Sequence, residues 1–316
     1  MTPEFVDLID LASERLGSTV VDANDDFFAS RDNLIKARKP EWREGEYTDR
    51  GKWMDGWETR RRRGPGHDWC VVRLGLPGII GGVNVDTSHF RGNFPESCSI
   101  EAAEAEEGPW TEILPRSPLL GDAENLFRIE ANRRFTRVRL HIYPDGGVAR
   151  LRVYGLVVPD RERLAGRGEI DLGALENGGL VLAASDMFFG ARNNLILPGP
   201  PRGMHDGWET RRRRGPGHDW AIVQFGVPGT IRRAEVDTTW FKGNAPGSCS
   251  LDVLAAGDPL STDAEWGEVL PESMLSPDSV HVFEKEVRPA PVATHARLNI
   301  YPDGGVARLR LFGVTG

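Results

Sequence analysis

Cysteine is scarce in this sequence. Cys70, Cys98 and Cys249 are the only three among 316 residues. Three cysteines are too few for a disulfide scaffold, and no pair has the close spacing of a metal-binding knuckle. We therefore interpret them as reduced thiols of a cytoplasmic protein. Cys98 and Cys249 share a Ser-Cys-Ser context and are expected in the core.

Long apolar runs and excess positive charge are missing as well. No stretch approaches the ~18 consecutive apolar residues of a membrane span. Residues 1–16 contain several acidic side chains and no basic start, so they do not read as a secretory signal. The formal net charge is −8, which disfavours binding to nucleic acid or to an anionic membrane. We expect neither as a partner.

The short motifs of several enzyme classes are also absent. There is no GxSxG nucleophile elbow, no P-loop and no GxGxxG after a strand. HxH, HExxH and CxxC metal motifs are absent too. The sequence therefore requires no cofactor. A divalent metal held by His67 and Asp68 with Asp86 or His89 stays open, because such a set has ligand chemistry without a recognised spacing.

An internal duplication dominates what the sequence does contain. GWETRRRRGPGHDW at 56–69 recurs unchanged at 207–220, and YPDGGVARLR at 143–152 recurs at 301–310. Between these anchors, 83–102 aligns with 234–253, and upstream 27–35 aligns with 188–196. One module of roughly 150 residues thus occurs twice, which predicts two domains. Copy 1 has extra residues near 41–50, which we place in a surface loop.

The boundary between the copies is predicted in the polar, glycine-containing stretch 159–169. We assign repeat 1 to 17–160, a linker to 161–169 and repeat 2 to 170–316. Residues 1–16 place apolar side chains at helical spacing, which predicts a short N-terminal helix.

Short β-rich segments predict an all-β fold. Segments 70–76, 82–88, 137–143 and 148–155 have strand composition, several with period two. On the third of these, Arg137, Arg139 and His141 share one face and the intervening apolar residues share the other. The Tyr143–Gly147 stretch is a turn and is expected to close a terminal hairpin. Many short strands punctuated by Gly and Pro predict a β-sandwich or jelly roll.

The repeated segment at 56–69 is the first candidate site. Its charged and titratable residues are Glu58, Arg60, Arg61, Arg62, Arg63, His67 and Asp68. An arginine fork binds a carboxylate through two hydrogen bonds, so Arg60 and Arg62 are candidates for binding an anion. The alternative is a solvated or interface charge run paired with the surplus of Asp and Glu.

A second candidate site lies at 86–99, where a strand gives way to a polar loop. Asp86, His89, Arg91 and Asn93 could converge there as an acid or base with hydrogen-bond donors. The alternative is that Asp86 and Asn93 bond the backbone of their own loop.

Repeat 2 keeps the first site and changes the second. Trp240 replaces His89, Lys242 replaces Arg91, and Asn299 replaces His141. The candidate residues of repeat 2 are Glu209, Arg211, His218, Asp219, Asp237, Lys242 and Asn244. We therefore expect a catalytic site built mainly on repeat 1, with repeat 2 completing it or building an oligomer.

Three motifs carry a family resemblance: W-E-T-R-R-R-R with H-D-W, D-T-[ST]-x-F-[RK]-G-N-x-P-x-S-C, and I-Y-P-D-G-G-V-A-R-L-R. Long, specific and present in both copies, they resemble the allantoicase family over nearly the whole chain. The resemblance implies two tandem jelly-roll β-sandwiches of the galactose-binding-like kind. It also implies a homo-oligomer, trimer or hexamer, that hydrolyses allantoate to ureidoglycolate and urea in purine catabolism. That activity is a hydrolysis of carbon–nitrogen bonds in linear amidines.

The substrate that the resemblance implies has one carboxylate and two ureido groups. We hypothesise that Arg60 or Arg62 holds the carboxylate, that His67 and His89 transfer protons, and that Asp68 or Asp86 orients one histidine. Glu58 could accept hydrogen bonds from a ureido group, and a metal could replace the base by acidifying water.

Other functions remain open at this point. A non-catalytic sugar- or ligand-binding module would use exposed loop aromatics such as Trp240 and Phe241. A structural assembly protein would use the arginine-rich segments as subunit interfaces. A hydrolase acting on ureidoglycolate is a further alternative, because that compound shares a ureido group and the carboxylate.

Overall fold

The computed structural model describes residues 3–160, 164 and 167–316. The chain divides into two compact units, Met1–Val158 and Pro159–Gly316. Both are built from β-strands and short 3-10 turns, which confirms the all-β prediction. Of the predicted linker, residues 161–163, 165 and 166 lie outside the described residues. No helix within the described ranges has the length and apolar character that a membrane crossing needs.

The described residues of unit 1 form twelve strands. They are β1 (Ile9–Asp10), β2 (Thr19–Ala23), β3 (Tyr47–Thr48), β4 (Gly51–Lys52), β5 (Trp57–Glu58), β6 (Asp68–Asp86), β7 (Ser97–Ala103), β8 (Thr111–Pro118), β9 (Glu124–Arg128), β10 (Arg134–Tyr143), β11 (Gly147–Val148) and β12 (Arg150–Val157). Its 3-10 turns span Glu4–Asp7, Glu14–Leu16 and Arg31–Ile35.

Unit 2 repeats this order from its own first strand. Its strands are β13 (Ile170–Asp171), β14 (Leu180–Ala184), β15 (Trp208–Glu209), β16 (Asp219–Asp237), β17 (Ser248–Leu254), β18 (Gly267–Met274), β19 (Val280–Phe283), β20 (Ala293–Tyr301), β21 (Gly305–Val306) and β22 (Arg308–Thr315). Its 3-10 turns span Leu175–Asn177, Arg192–Ile196 and Met204–Asp206.

The long strand β6 lies at the centre of the eight-stranded sheet of unit 1. Its first half pairs with β2 and β10, and β10 continues through β7 to β8. Its second half pairs with β12 and β9, and β12 pairs with β1. Every pairing is antiparallel. In unit 2, β16 occupies the same place between equivalent partners. The two predicted strands at 70–76 and 82–88 are therefore one continuous strand.

The central strand β10 separates core from surface by alternation. Val138, Leu140 and Ile142 are fully buried, whereas Arg139 and His141 are half-buried on the opposite face. Period-two alternation thus places an apolar face in the core and a polar face outside, as the sequence predicts. The three cysteines are free and buried, and burial raises the pKa of Cys98 and of Cys249 to about 12.

The helix predicted for residues 1–16 is wrong over residues 3–16, and residues 1 and 2 lie outside the described residues. Two 3-10 turns flank the edge strand β1, which pairs with β12. Asp10 accepts hydrogen bonds from the backbone N–H groups of Ala12 and Val153, at 3.1 and 3.0 Å. These bonds satisfy the local backbone without a helix. The segment is part of the repeat, because IDLAS at 9–13 corresponds to IDLGA at 170–174.

The prediction that the turn at Tyr143–Gly147 closes a terminal hairpin is also wrong. The strands on either side of it, β10 and β12, are not neighbours, because β6 lies between them in the strand order. The turn after Tyr143 instead leads into β11, which pairs with β5 at one end of the sandwich. The extra residues of copy 1 do form a surface feature: residues 41–50 are exposed and contribute to the small β3–β4 hairpin.

Candidate active site

The three motifs of each repeat meet at one end of the sandwich. In unit 1, Trp57 and Glu58 pair with Val148 and Gly147. The Gly147 N–H donates to the carbonyl of Asn93 over 2.7 Å, so the loop at 86–99 joins the same cluster. A side chain at Gly147 would collide with the buried ring of Phe90, because a Cβ there would lie 1.9 Å from it. Part of the verbatim repetition is therefore explained by close packing.

The alternating arginines of the first site differ in their partners. Arg60 pairs with Asp25 at 3.1 Å, and Arg62 pairs with the buried Asp68. Arg61 and Arg63 are exposed, and neither has an ion-pair partner within the described residues. Repeat 2 reproduces the set: Arg211 pairs with Asp186, Arg213 with Asp219, and Arg212 and Arg214 are exposed.

Asp68 is a buried acceptor that joins two neighbouring segments by hydrogen bonds. It is 1% exposed and accepts hydrogen bonds from Arg62 and from the Asn24 side chain, the latter at 2.9 Å. The Arg62 backbone is fixed in turn by Asp145 at 2.8 Å. These bonds fix the loop that carries His67.

One hydrogen bond joins the two candidate sites. Asn93 Nδ2 donates to Glu58 Oε1 over 2.7 Å, and Asn244 does the same to Glu209 over 2.5 Å. Burial raises the pKa of Glu58, and the hydrogen bond from Asn93 opposes that rise. The structure therefore brings Glu58 of the first candidate site and Asn93 of the second together.

The rest of the second site bonds within its own loop and to neighbouring segments. Asp86 Oδ1 accepts from the Ser88 N–H at 2.8 Å, and Asp237 accepts from Thr239 at 2.7 Å. The His89 N–H and the Arg91 side chain both donate to Asp122, at 2.8 and 3.0 Å.

The His89 ring lies beside the 40–42 segment. Its Nε2 is 3.4 Å from the carbonyl oxygen of Pro40, and its ring packs on Trp42 at 5.8 Å. Trp240 reaches the equivalent carbonyl of Pro201 at 3.1 Å, and Lys242 approaches Asp278 at 3.7 Å. Among the described residues, no contact joins His89 to His67.

His67 instead belongs to a chain of titratable groups on the outer face of the sheet. Its Nε2 lies 2.9 Å from His141 Nδ1, and His141 Nε2 lies 2.8 Å from Glu101 Oε2. Arg139 Nε donates to the same Glu101 oxygen over 2.9 Å. The register of β10 and β7 sets this order, because His141 is opposite Ser99 and Arg139 is opposite Glu101.

The proton positions in the hydrogen-bonded chain His67–His141–Glu101 follow from the ionisation of Glu101 and of His67. Burial opposes ionisation of Glu101, but hydrogen bonds from His141 and Arg139 prevail and lower its pKa, so it accepts from His141. Burial, then the charges of His141 and Arg62, lower the pKa of His67. A neutral His67 donates its Nε2–H to His141 and leaves Nδ1 as an unprotonated base.

Repeat 2 supports this assignment. His218 Nε2 lies 3.2 Å from Asn299 Oδ1, while Asn299 Nδ2 donates to Asp252 Oδ2 over 2.9 Å. Because the amide nitrogen faces the carboxylate, its oxygen accepts from His218. An amide orients the histidine equally well but cannot take up its proton.

Two further side chains surround His67. The Tyr143 ring lies 4.6 Å from the His67 ring, and its hydroxyl bonds Ser99 at 2.9 Å. The Arg116 guanidinium stacks on the same tyrosine at 4.3 Å. The sequence motifs singled out His141 as a difference between copies but did not point to Glu101, Tyr143 or Arg116. The outward alternation of β10 was the one signal for this face.

No group of three or more His, Cys, Asp or Glu suited to a metal ion occurs among the residues that the structure describes. His67 and Asp68 do not converge with Asp86 or His89. The metal site stays a prediction.

Comparison with known proteins identifies the family. The profile described as "Allantoicase repeat" matches residues 9–158 and 170–316. The chain belongs to the allantoicase family.

Relatives in the allantoicase family match over nearly the full length of the chain. A probable allantoicase of Photobacterium profundum is 47% identical over 320 residues, covering 98% of this chain and 97% of that protein. The allantoicase of Dictyostelium discoideum is 47% identical, covering 96% and 86%. The crystal structure of an allantoicase from Saccharomyces cerevisiae superposes with a TM-score of 0.82 at 38% identity, covering 96% and 92%. The predicted resemblance and the two tandem β-sandwiches are thereby confirmed.

Proposed function

We propose that this chain hydrolyses allantoate to ureidoglycolate and urea on the outer face of repeat 1, around His67. The observation that carries the proposal is the His67–His141–Glu101 chain in a member of the allantoicase family. It offers an unprotonated nitrogen, held in one tautomer, to a water molecule beside the substrate.

The reaction exchanges one bond for another at the central carbon of allantoate. The oxygen of water forms a bond to that carbon, and the bond from the carbon to one ureido nitrogen breaks. His67 Nδ1 removes a proton from the water, and the departing urea nitrogen receives a proton. Base catalysis of this kind contributes about 10²- to 10⁴-fold to a rate.

The other predicted residues take supporting places in this proposal. Arg60 and Arg62 are held by carboxylates and would fix the loop that carries His67. Asp68 would orient that loop, and Glu58 with Asn93 would offer polar groups to a ureido group. His89 and Arg91 would brace the adjoining loop through Asp122.

We also propose a cytoplasmic homo-oligomer, a trimer or hexamer by family resemblance. The buried free thiols suit a reducing compartment. In unit 2 the exposed apolar residues Met187, Phe188 and Phe189 offer a surface for self-association. Sedimentation analysis of the purified chain measures the oligomer size directly.

Urea release from allantoate, with and without a chelator, tests the proposed reaction. We expect His67→Ala to lower kcat about 10²- to 10⁴-fold. His89→Ala is the informative companion, since its contacts predict a much smaller loss. Near-wild-type turnover of His67→Ala would overturn the role of His67. No urea from the wild type under any divalent-metal condition would favour a ligand-binding module.

A further inference from the structure

Arg116 is a cation next to His67 with unused binding capacity. Its Nε donates to Ser97 Oγ over 2.8 Å, and its guanidinium stacks on the Tyr143 ring. Both terminal nitrogens have no hydrogen-bond or ion-pair partner among the described residues. Stacking and the Nε bond hold the plane of the guanidinium, so its two remaining N–H edges are ready for a planar anion.

Three other arginines near the site are occupied by carboxylates. Arg62 is bound to Asp68 and Arg139 to Glu101, while Arg60 is bound to Asp25. Arg61 and Arg63 are free of carboxylates too, but they recur unchanged as Arg212 and Arg214. They therefore give no difference between the repeats.

Position 116 does differ, and in the sign of its charge. Ser97 pairs with Pro118 in β7–β8, and Ser248 pairs with Met274 in β17–β18. That register puts Glu272 of repeat 2 where repeat 1 has Arg116. Glu272 Oε1 accepts from Ser248 Oγ over 2.6 Å, so it uses the same serine as Arg116 does.

The frame around the two positions is otherwise shared. The His218 ring lies 4.7 Å from Tyr301, as His67 lies against Tyr143. Tyr301 bonds Ser250 at 3.0 Å, and Arg297 pairs with Asp252 at 2.8 Å. One face thus presents a cation beside its histidine and the other presents an anion.

We propose that Arg116 binds the carboxylate of the substrate, and that Glu272 excludes anions from the corresponding face of repeat 2. The proposal rests on the proposed function for the identity of the substrate. The carboxylate of allantoate is attached to the reacting carbon, so a carboxylate held by Arg116 places that carbon near His67. Repulsion by Glu272 then restricts the anionic substrate to repeat 1.

The test compares Arg116→Gln and Arg116→Glu with the exposed control Arg133→Gln, whose arginine pairs with Glu104 away from His67. We expect Arg116→Gln to raise KM for allantoate about 10- to 100-fold, the size of one charge-assisted interaction, with a much smaller change in kcat. Arg116→Glu, which introduces the residue of repeat 2, should raise KM further. Arg133→Gln should keep the wild-type KM.

Binding measurements separate Arg116 from the reaction itself. In a His67→Ala background, calorimetry gives the Kd of allantoate and of its uncharged methyl ester without turnover. Adding Arg116→Gln should raise the Kd of allantoate and leave the Kd of the ester unchanged. If allantoate binds to the His67→Ala variant with the same Kd whether or not Arg116→Gln is added, the proposal is overturned. Allantoate binding that depends on Arg116, in a wild type that releases no urea, would overturn the proposed reaction and keep the binding site.

The role of Glu272 has its own test in the same background. Wild-type Glu272 predicts one allantoate bound per chain, and Glu272→Arg predicts a second. A second bound allantoate with Glu272 intact, or none gained with Glu272→Arg, would overturn the exclusion by repeat 2.

Discussion

In repeat 1, the imidazole of His141 links His67 to the carboxylate of Glu101. In repeat 2, the amide of Asn299 links His218 to the carboxylate of Asp252. Both partners accept the Nε2–H of the histidine, so both fix the same tautomer. Only the imidazole can take that proton when Nδ1 gains another. The comparison separates orientation of the base, which both partners provide, from uptake of its Nε2 proton, which only His141 provides.

His141→Asn tests this separation with the residue that repeat 2 uses. We expect kcat to fall about 10-fold or more, because an amide, unlike the His141 imidazole, cannot take up the Nε2 proton of His67. His141 lowers the pKa of His67, so its loss raises that pKa. The acidic limb of the kcat/KM profile should therefore move to higher pH.

The measurement is a pH profile of kcat/KM from acid to neutral pH, with the exposed His205→Asn as the control. A His141→Asn enzyme with unchanged kcat and an unmoved acidic limb would show that His141 only packs against His67.

Sequence patterns predict some of these site residues and not others. His67 and Asp68 stand in a verbatim repeat, and the period of β10 puts His141 outside, so each carries a local signal. Glu101 and Arg116 lie on β7 and β8, and they reach the site only through the strand register. Register depends on tertiary pairing, which no local spacing encodes.

At the scale of elements, the N-terminal segment shows how periodicity can mislead. Of the helically spaced apolar residues, Phe5, Ile9, Ala12 and Leu16 are buried and Leu8 is half-buried, yet they lie on 3-10 turns, an edge strand and the short connections between them. Leu11 is fully buried, with its N–H donating to Val153 over 2.7 Å. The segment is therefore part of the sandwich core and not an appended element.

Leu11→Ala should lower the free energy of unfolding of unit 1 by about 2–5 kcal/mol, the usual cost of a cavity in a packed core. Val21→Ala is the matched control, because Val21 is 40% exposed. Denaturant unfolding followed by tryptophan fluorescence compares the two. Equal stability of both variants would mean that the segment only rests on the surface.

The turn at 143–147 shows the limit of turn chemistry. Proline and glycines predict a reversal correctly, but they do not say which strands pair afterwards. The presence of β6 between β10 and β12 is a property of the whole sheet. The all-β class and the duplication need no such information, since composition and self-similarity report them directly.

At the scale of the whole molecule, two repeats share one frame and differ in its chemistry. Repeat 1 has His67, His141 and Arg116 on its outer face, and repeat 2 has His218, Asn299 and Glu272. The sequence segment around each histidine is unchanged. The repeats differ instead in the hydrogen-bond partner of the histidine and in the charged side chain beside it. We therefore expect repeat 1 to carry out the reaction.

Urea release by His67→Ala and His218→Ala, side by side, tests that claim most directly. We predict a loss of about 10²- to 10⁴-fold in kcat for His67→Ala and turnover close to wild type for His218→Ala. Equal losses in the two variants would contradict it.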